Sequence, residues 1–240
     1  MSELFLVRHG QASFGKKSYD KLSELGVKQV QVLAQHWLSL NKKFDHIYAG
    51  SLLRQQETAK ELLKLVKGSP KEPETLNGLN EYSGDALVRI HLRDEGLNTQ
   101  SDIEFGDYFG GEEKGRKLFQ SVFEEATERW IKDELQPSVE EPHFEFWSDF
   151  KNRVFNVIDS IISRHSGGSR VLISTSGGVI AMALQRVLQF PDDQVIKTNW
   201  MVNNSSVTRI RYGDGKISLS QFNSLPHLEK DGMQELVTYR

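Results

Sequence analysis

The sequence has no cysteine. Disulfide frameworks, thiolate nucleophiles and cysteine-type zinc sites are therefore excluded, and the reducing cytoplasm is the expected location. Long apolar runs are missing too. The first, Leu4–Val7, is interrupted at Arg8, too soon for a membrane span or a secretory signal, so no membrane association is expected. Nor is there an excess of positive charge: 30 Lys+Arg face 33 Asp+Glu, a formal net charge of −3, which argues against nucleic acid as a partner. Proline is scarce at six residues, and neither repeats nor low-complexity tracts occur. What remains is a chain of 240 residues, 38% apolar, long enough for one α/β domain carrying an insertion.

Short apolar runs at Leu4–Val7, Phe44–Ala49, Val171–Thr175, Ser206–Arg211 and Lys216–Phe222 predict strands. Helical stripes alternate with them. After Ser23, an N-cap residue, apolar side chains recur at Val27, Val30, Leu33, Ala34, Trp37 and Leu38; Leu53–Val66 and Ser148–His165 repeat the pattern, with Gly167-Gly168 as a stop. This alternation predicts an α/β fold with a mainly parallel central sheet flanked by helices on both faces. Residues 85–145 differ. They are punctuated by Gly110-Gly111, Gly115, Pro137 and Pro142, and one amphipathic helix runs through Leu118, Phe119, Val122, Phe123, Ala126 and Trp130. We read a helical cap insertion within a single domain spanning 1–240. It holds 16 acidic and 7 basic residues, so the insertion stands at −9 and the rest of the chain at +6. The ordinary explanation is a solvated helix face. The functional one is a basic floor under an acidic roof, which admits an anion and disfavours a polyanion. Phe144, Phe146, Trp147 and Phe150 read as core packing where the insertion rejoins.

In open α/β sheets ligands bind beyond the C-terminal ends of the strands. Three such positions carry chemistry: Arg8-His9-Gly10, Gly50-Ser51-Leu52-Leu53-Arg54 and Ser174-Thr175-Ser176-Gly177-Gly178. Two guanidiniums and an imidazole converging on one rim suit a phosphate dianion, since Arg offers a planar fork of donors and a permanent charge. Imidazole is also a nucleophile, and phosphorus between two arginines is a fitting electrophile.

Leu4–Gly10 resembles the signature of the histidine phosphatase superfamily, the phosphoglycerate mutase-like proteins, and Leu22–Gln29 is similar to the helix start that follows it. Ser51–Ala59 resembles its second arginine motif, Leu79-Asn80-Glu81 with Gly84 its acidic segment, and Asn204–Thr208 with Phe222-Asn223 its C-terminal strands. The resemblance implies a phosphoglycerate mutase-like fold and a phosphomonoester hydrolase without cofactor or metal. His9 would attack phosphorus, Arg8 and Arg54 would hold the phosphate oxygens, and Glu81 would protonate the leaving alkoxide, given a pKa raised by partial burial and bound phosphate. Ser176 and Gly177 complete the expected substrate-binding residues. The implied partner is a phosphorylated small molecule or phosphoprotein; residues 85–145 would set the choice.

Departures from the family pattern temper this. Ser176 stands where the family has a second histidine, so a neutral donor replaces a cation. Gln11, Ala12 and Gly15 replace the family's usual Glu-Thr and Asn; Ser13, Gln11 or His91 are candidate compensators. A catalytically weakened relative that binds a phospho-ligand is therefore the alternative, ahead of a mutase. Two other classes compete. Gly10–Lys16 fits most of a Walker A loop, but Lys17 stands where Ser or Thr is needed. Ser176, Asp214 and His227 follow a serine hydrolase order. The remaining histidines are not expected to gather, and oligomeric state is not legible.

Overall fold

Strand β1 (Ser2–Arg8) is buried along nearly its whole length, as a short run apolar on both faces requires. The computed structural model describes residues 1–13, 20–96, 113–139 and 143–239, and of 113–119 the backbone alone. β2 (His46–Ala49), β3 (Glu74–Thr75), β4 (Arg170–Thr175), β5 (Val207–Gly213) and β6 (Lys216–Ser224) complete one sheet in the order β3-β2-β4-β1-β5-β6. β3, β2, β4 and β1 run parallel, β5 pairs antiparallel to β1, and β6 returns antiparallel to β5. The β5–β6 turn has Asp214 at φ 52° and Gly215 at φ 73°, the left-handed pair that a tight hairpin needs. All five expected strands are present. β3, two exposed residues, was not expected.

Helix α1 (Glu24–Ser39) starts at Ser23, whose hydroxyl accepts from Gly26 N, and turns Val30, Leu33, Ala34 and Trp37 onto Phe5 and Val7 of β1. α2 (Leu53–Leu62) covers the same face. It stops short of Val66, the expected end, because a 3-10 turn at Leu63–Leu65 drops Leu65 into the core and brings Val66 beside Phe44.

The structure divides into two compact units: residues 1–13, 20–81 and 153–240, which hold the sheet, and a second built on 82–152. The insertion expected at 85–145 falls within the second. That unit contains α3 (Gly84–Asp94) and α4 (Glu113–Ile131), and its core is aromatic: Trp130 lies 4.7 Å from Tyr82 and 4.9 Å from Trp147 between ring centroids, with Phe150 alongside. Trp147 and Phe150 are buried as expected, whereas Phe146 is exposed. Phe14–Lys17, Gly110, Gly111 and Pro142 lie outside the described residues, as do the side chains of Leu118 and Phe119.

α5 (Trp147–Arg164) leads back into the first unit. α6 (Gly177–Leu188) lies against β1 and β6, and α7 (Asp193–Met201) packs on α6. Among the described residues no helix is long and apolar enough to cross a membrane.

Candidate active site

His9 sits one residue past β1, held on three sides. Its N–H donates to Thr175 O at 2.9 Å, and its carbonyl accepts from Asn204 Nδ2 at 3.2 Å and Ser205 N at 3.3 Å. Gly10 follows because nothing larger fits: a Cβ there would lie 2.3 Å from Gly26 O, and one on Gly26 would lie 2.1 Å from Gln11 O. The start of α1 is thereby locked against the loop that carries the imidazole, and Ser23 N to Gln11 O (2.9 Å) and Gln11 N to Gln29 Oε1 (2.8 Å) tie the two together.

The imidazole is 6% exposed. Nδ1 lies 2.7 Å from Gly10 O, an acceptor only, so Nδ1 carries the hydrogen and Nε2 the lone pair. Arg54 Nε donates to that Nε2 at 3.1 Å. Burial first, then the charges of Arg54 and Arg8, hold His9 well below the usual imidazole range against the pull of the Gly10 hydrogen bond. The ring is neutral at neutral pH, in the tautomer that nucleophilic attack through Nε2 requires.

Arg54, on the first turn of α2, is nearly buried. Its NH1 forms an ion pair of 2.5 Å with Asp20, whose other oxygen accepts from Leu53 N. Sequence reasoning missed Asp20; its position just before the α1 cap gave no chemical signal. Arg8 is placed differently from the expectation of a guanidinium given over to phosphate: its NH1 donates to Val202 O, and to Tyr239 O at 2.8 Å. Its charge still acts on His9.

Glu81 reaches the same rim, its Oε2 accepting from Gly178 N at 2.9 Å in the first turn of α6. Ser176 precedes that helix and is 1% exposed. Its hydroxyl makes no capping bond and instead accepts from Gln55 Nε2 at 2.8 Å. Gln55, fully buried, also donates to Leu79 O, and Thr175 Oγ1 donates to that carbonyl at 2.7 Å. Gln55 is the second residue missed from sequence, because its partner lies 121 positions away. A Cβ at Gly177 would lie 2.2 Å from Asn199 Oδ1, so a side chain there would require the Asn199 carboxamide to move. His9, Arg54, Glu81 and Ser176 are thus joined through α2, the β4–α6 turn and the Leu79–Glu81 segment.

The candidate compensators are engaged elsewhere: Ser13 Oγ donates to Leu22 O, Gln11 Oε1 accepts from Ser23, and His91 lies beside Arg129 and Glu125 in the second unit. The serine hydrolase constellation does not assemble. His227 Nε2 pairs with Ser205 Oγ at 2.9 Å, and Asp214 is exposed at the β5–β6 turn. The Walker-like lysines lie outside the described residues. Contrary to expectation, two histidines do gather: His46 and His165 stack at 3.9 Å, with Tyr48 Oη 2.6 Å from His165 Nε2. Among the described residues, no group of three or more His, Cys, Asp or Glu is arranged to hold a metal.

The sheet thus brings a buried histidine, just past β1, into contact with a buried arginine in the first turn of α2, beyond β2. The sequence profile of the histidine phosphatase superfamily (branch 1) matches residues 4–95 and 86–225. The chain belongs to that superfamily, a class of phosphatase enzymes of the histidine type. Its fold is similar to phosphoglycerate mutase from Bacillus anthracis, with TM-score 0.63 and 21% identity over 94% of both chains. It is also similar to phosphoserine phosphatase from Entamoeba histolytica, solved with phosphoserine, with TM-score 0.61 and 18% identity over 95% of this chain and 100% of that one. A putative alpha-ribazole-5'-P phosphatase from Escherichia coli gives TM-score 0.62 and 18% identity over 93% and 96%. No curated protein sequence matches.

Proposed function

We propose that this protein is a phosphomonoesterase that works through a phosphohistidine on His9. The observation that carries the reading is the imidazole itself: buried, neutral, tautomerically set by Gly10 O, and in contact with Arg54 through the nitrogen that would attack. In the first step Nε2 attacks phosphorus in line, the ester P–O bond breaks, and Glu81 gives its proton to the departing alkoxide. Arg54 leaves Nε2 for the phosphoryl oxygens as the new bond forms, with Arg8 supplying further positive charge. In the second step water attacks the phosphohistidine, Glu81 takes its proton, and inorganic phosphate departs.

Ser176 takes the place of a cationic partner. Because its oxygen already accepts from Gln55, its hydroxyl hydrogen is the group left to donate, and Gln55 turns a neutral serine into an oriented donor. Two Entamoeba histolytica structures, holding phosphoserine and 3-phosphoglyceric acid, support a small phosphorylated metabolite over a phosphoprotein as substrate. The cysteine-free sequence supports a cytoplasmic setting.

The test is hydrolysis of p-nitrophenyl phosphate by wild type and His9→Ala, with a search for an acid-labile phosphoenzyme. Activity and phosphoenzyme present only in wild type support the reading; equal activity in both removes His9 from the chemistry. A second reading, phospho-ligand binding without turnover, draws on the carbonyl partners of Arg8 and the carboxylate on Arg54. Saturable orthovanadate binding with neither turnover nor phosphoenzyme would establish it.

A further inference from the structure

We infer a second anion site at the opposite end of β1, where Lys42, Arg170, Arg209 and Arg211 surround Glu3 and form a seat for a small phosphorylated ligand, with Lys42 as its reactive amine. Strand register builds this cluster. Glu3 of β1 pairs with Arg170 of β4 on one side and Arg211 of β5 on the other, while Phe5, two residues on and hence on the same face, pairs with Arg209. Six residue steps separate Glu3 from His9, so the seat lies roughly 20 Å from His9 at about 3.3 Å per residue. It is a separate place from the candidate active site.

The charges do not balance. Glu3 is nearly buried and receives Arg209 NH2, with Arg170 Nε at 3.4 Å and Arg211 Nε at 3.8 Å. Burial pushes the Glu3 carboxyl up, but the hydrogen bond from Arg209 and the charges of Arg209, Arg170 and Arg211 outweigh it and hold it below the usual range. One carboxylate thus serves three guanidiniums. Lys42 adds a fourth cation: its Nζ stands 4.2 Å from the ring centre of Phe5 and 5.4 Å from that of Trp37, and it has no ion-pair partner among the described residues. Arg209 lies over the same Phe5 ring at 5.4 Å. Nearby Asp45 is occupied by Lys67 at 2.7 Å and by Arg170 N. Burial, then Arg209, bring Lys42 down to about 8, against Glu3 and with Arg170.

A compact dianion fits this arrangement, because the cations converge on one carboxylate instead of lining a track. Arg170 and Arg211 are half-exposed, at 51% and 49%, so the seat is open to solvent. A half-buried amine that loses its proton near neutrality is also a nucleophile toward an anionic aldehyde. The amine nitrogen adds to the carbonyl carbon, water leaves and an imine forms; borohydride then reduces it to a stable secondary amine.

Pyridoxal 5′-phosphate followed by borohydride and peptide mass spectrometry tests this directly. Lys42 should be labelled at least fivefold faster than the other lysines, and millimolar inorganic phosphate should suppress it selectively. The same protection should persist in His9→Ala, which separates this seat from the candidate active site and makes the outcome independent of the proposed hydrolysis. Arg211→Gln, a change at an exposed side chain, should lower Lys42 labelling severalfold while hydrolysis of p-nitrophenyl phosphate is unchanged. Labelling spread evenly over the lysines would overturn the inference, as would Lys42 labelling that phosphate leaves untouched. Protection by an acidic peptide but not by phosphate would likewise replace a small-anion site with a protein-docking surface.

Discussion

Arg54 Nε donates to His9 Nε2 across 3.1 Å, so the charge that would grip a phosphate rests on the very atom that would attack it. Two consequences follow for the resting state. The imidazole is kept neutral, and its lone pair accepts the Arg54 N–H.

This neutrality has a pH signature. His9 lies well below 6.5, so kcat/KM should not fall with a midpoint near 6.5 as the pH is lowered from 7. Arg54→Met removes the first-named charge but not the burial, so the imidazole should titrate closer to 6.5 without reaching it. Ring proton NMR across pH 4–8 reads this, and a titration identical to wild type would break the proposed coupling.

Asp20 is paired with Arg54, so on the proposed reading it would compete with phosphate for that guanidinium. Asp20→Asn should tighten product inhibition by inorganic phosphate about two- to fivefold, the worth of a partly exposed ion pair. Weaker inhibition would mean that Asp20 positions Arg54 and that the competition is absent.

Ser176 and Gln55 form a unit. Ser176→Ala should lower kcat by about tenfold, the loss of one buried hydrogen bond of about 1.4 kcal/mol, and Gln55→Leu should do the same. Combining the two changes should cost no more than either, since the serine acts through its alignment. Ser176→His alone should not raise turnover, because the buried Gln55 carboxamide occupies the adjoining space. Gln55→Ala with Ser176→His provides room, and steady-state kinetics of wild type, Ser176→Ala, Gln55→Leu and their double variant decides whether the pair is coupled.

His227 should make the fold acid-sensitive. Burial first, then His36 and Lys230, bring it down to about 3 from 6.5. Between those limits the unfolded chain binds the proton and the native one does not. Stability is therefore complete above pH 6.5 and falls by about 1.4 kcal/mol per pH unit below it from this group alone. Urea midpoints at pH 7, 6 and 5 should decline, and His227→Gln should decline less steeply. His9 acts in the same direction.

Much of the sheet was legible because its strands are short apolar runs between turn residues, and α1 because a helix with one buried face repeats its apolar positions. α6 was not: every residue from Gly177 to Gln185 is buried, so no polar face marks its period. β3 consists of Glu74 and Thr75, both exposed, and exists only because β2 offers it an edge. At the site, His9, Arg54 and Ser176 could be named from their places after strands, and Glu81 from the family resemblance. Their partners could not. The Gln55–Ser176 bond and the carbonyls of Val202 and Tyr239 on Arg8 join residues 121 to 231 positions apart, and no local spacing encodes such meetings.

β1 has a neighbour along each edge, and His9 is pinned to both: its amide to Thr175 at the end of β4, its carbonyl to the Asn204-Ser205 corner before β5. Fraying of the peripheral strands should therefore leave His9 undisturbed. The amide deuteron of His9 should wash out only as fast as whole molecules unfold, while those of β3 and β6 exchange early. The order of the strands would thus separate local breathing from the proposed readiness of His9.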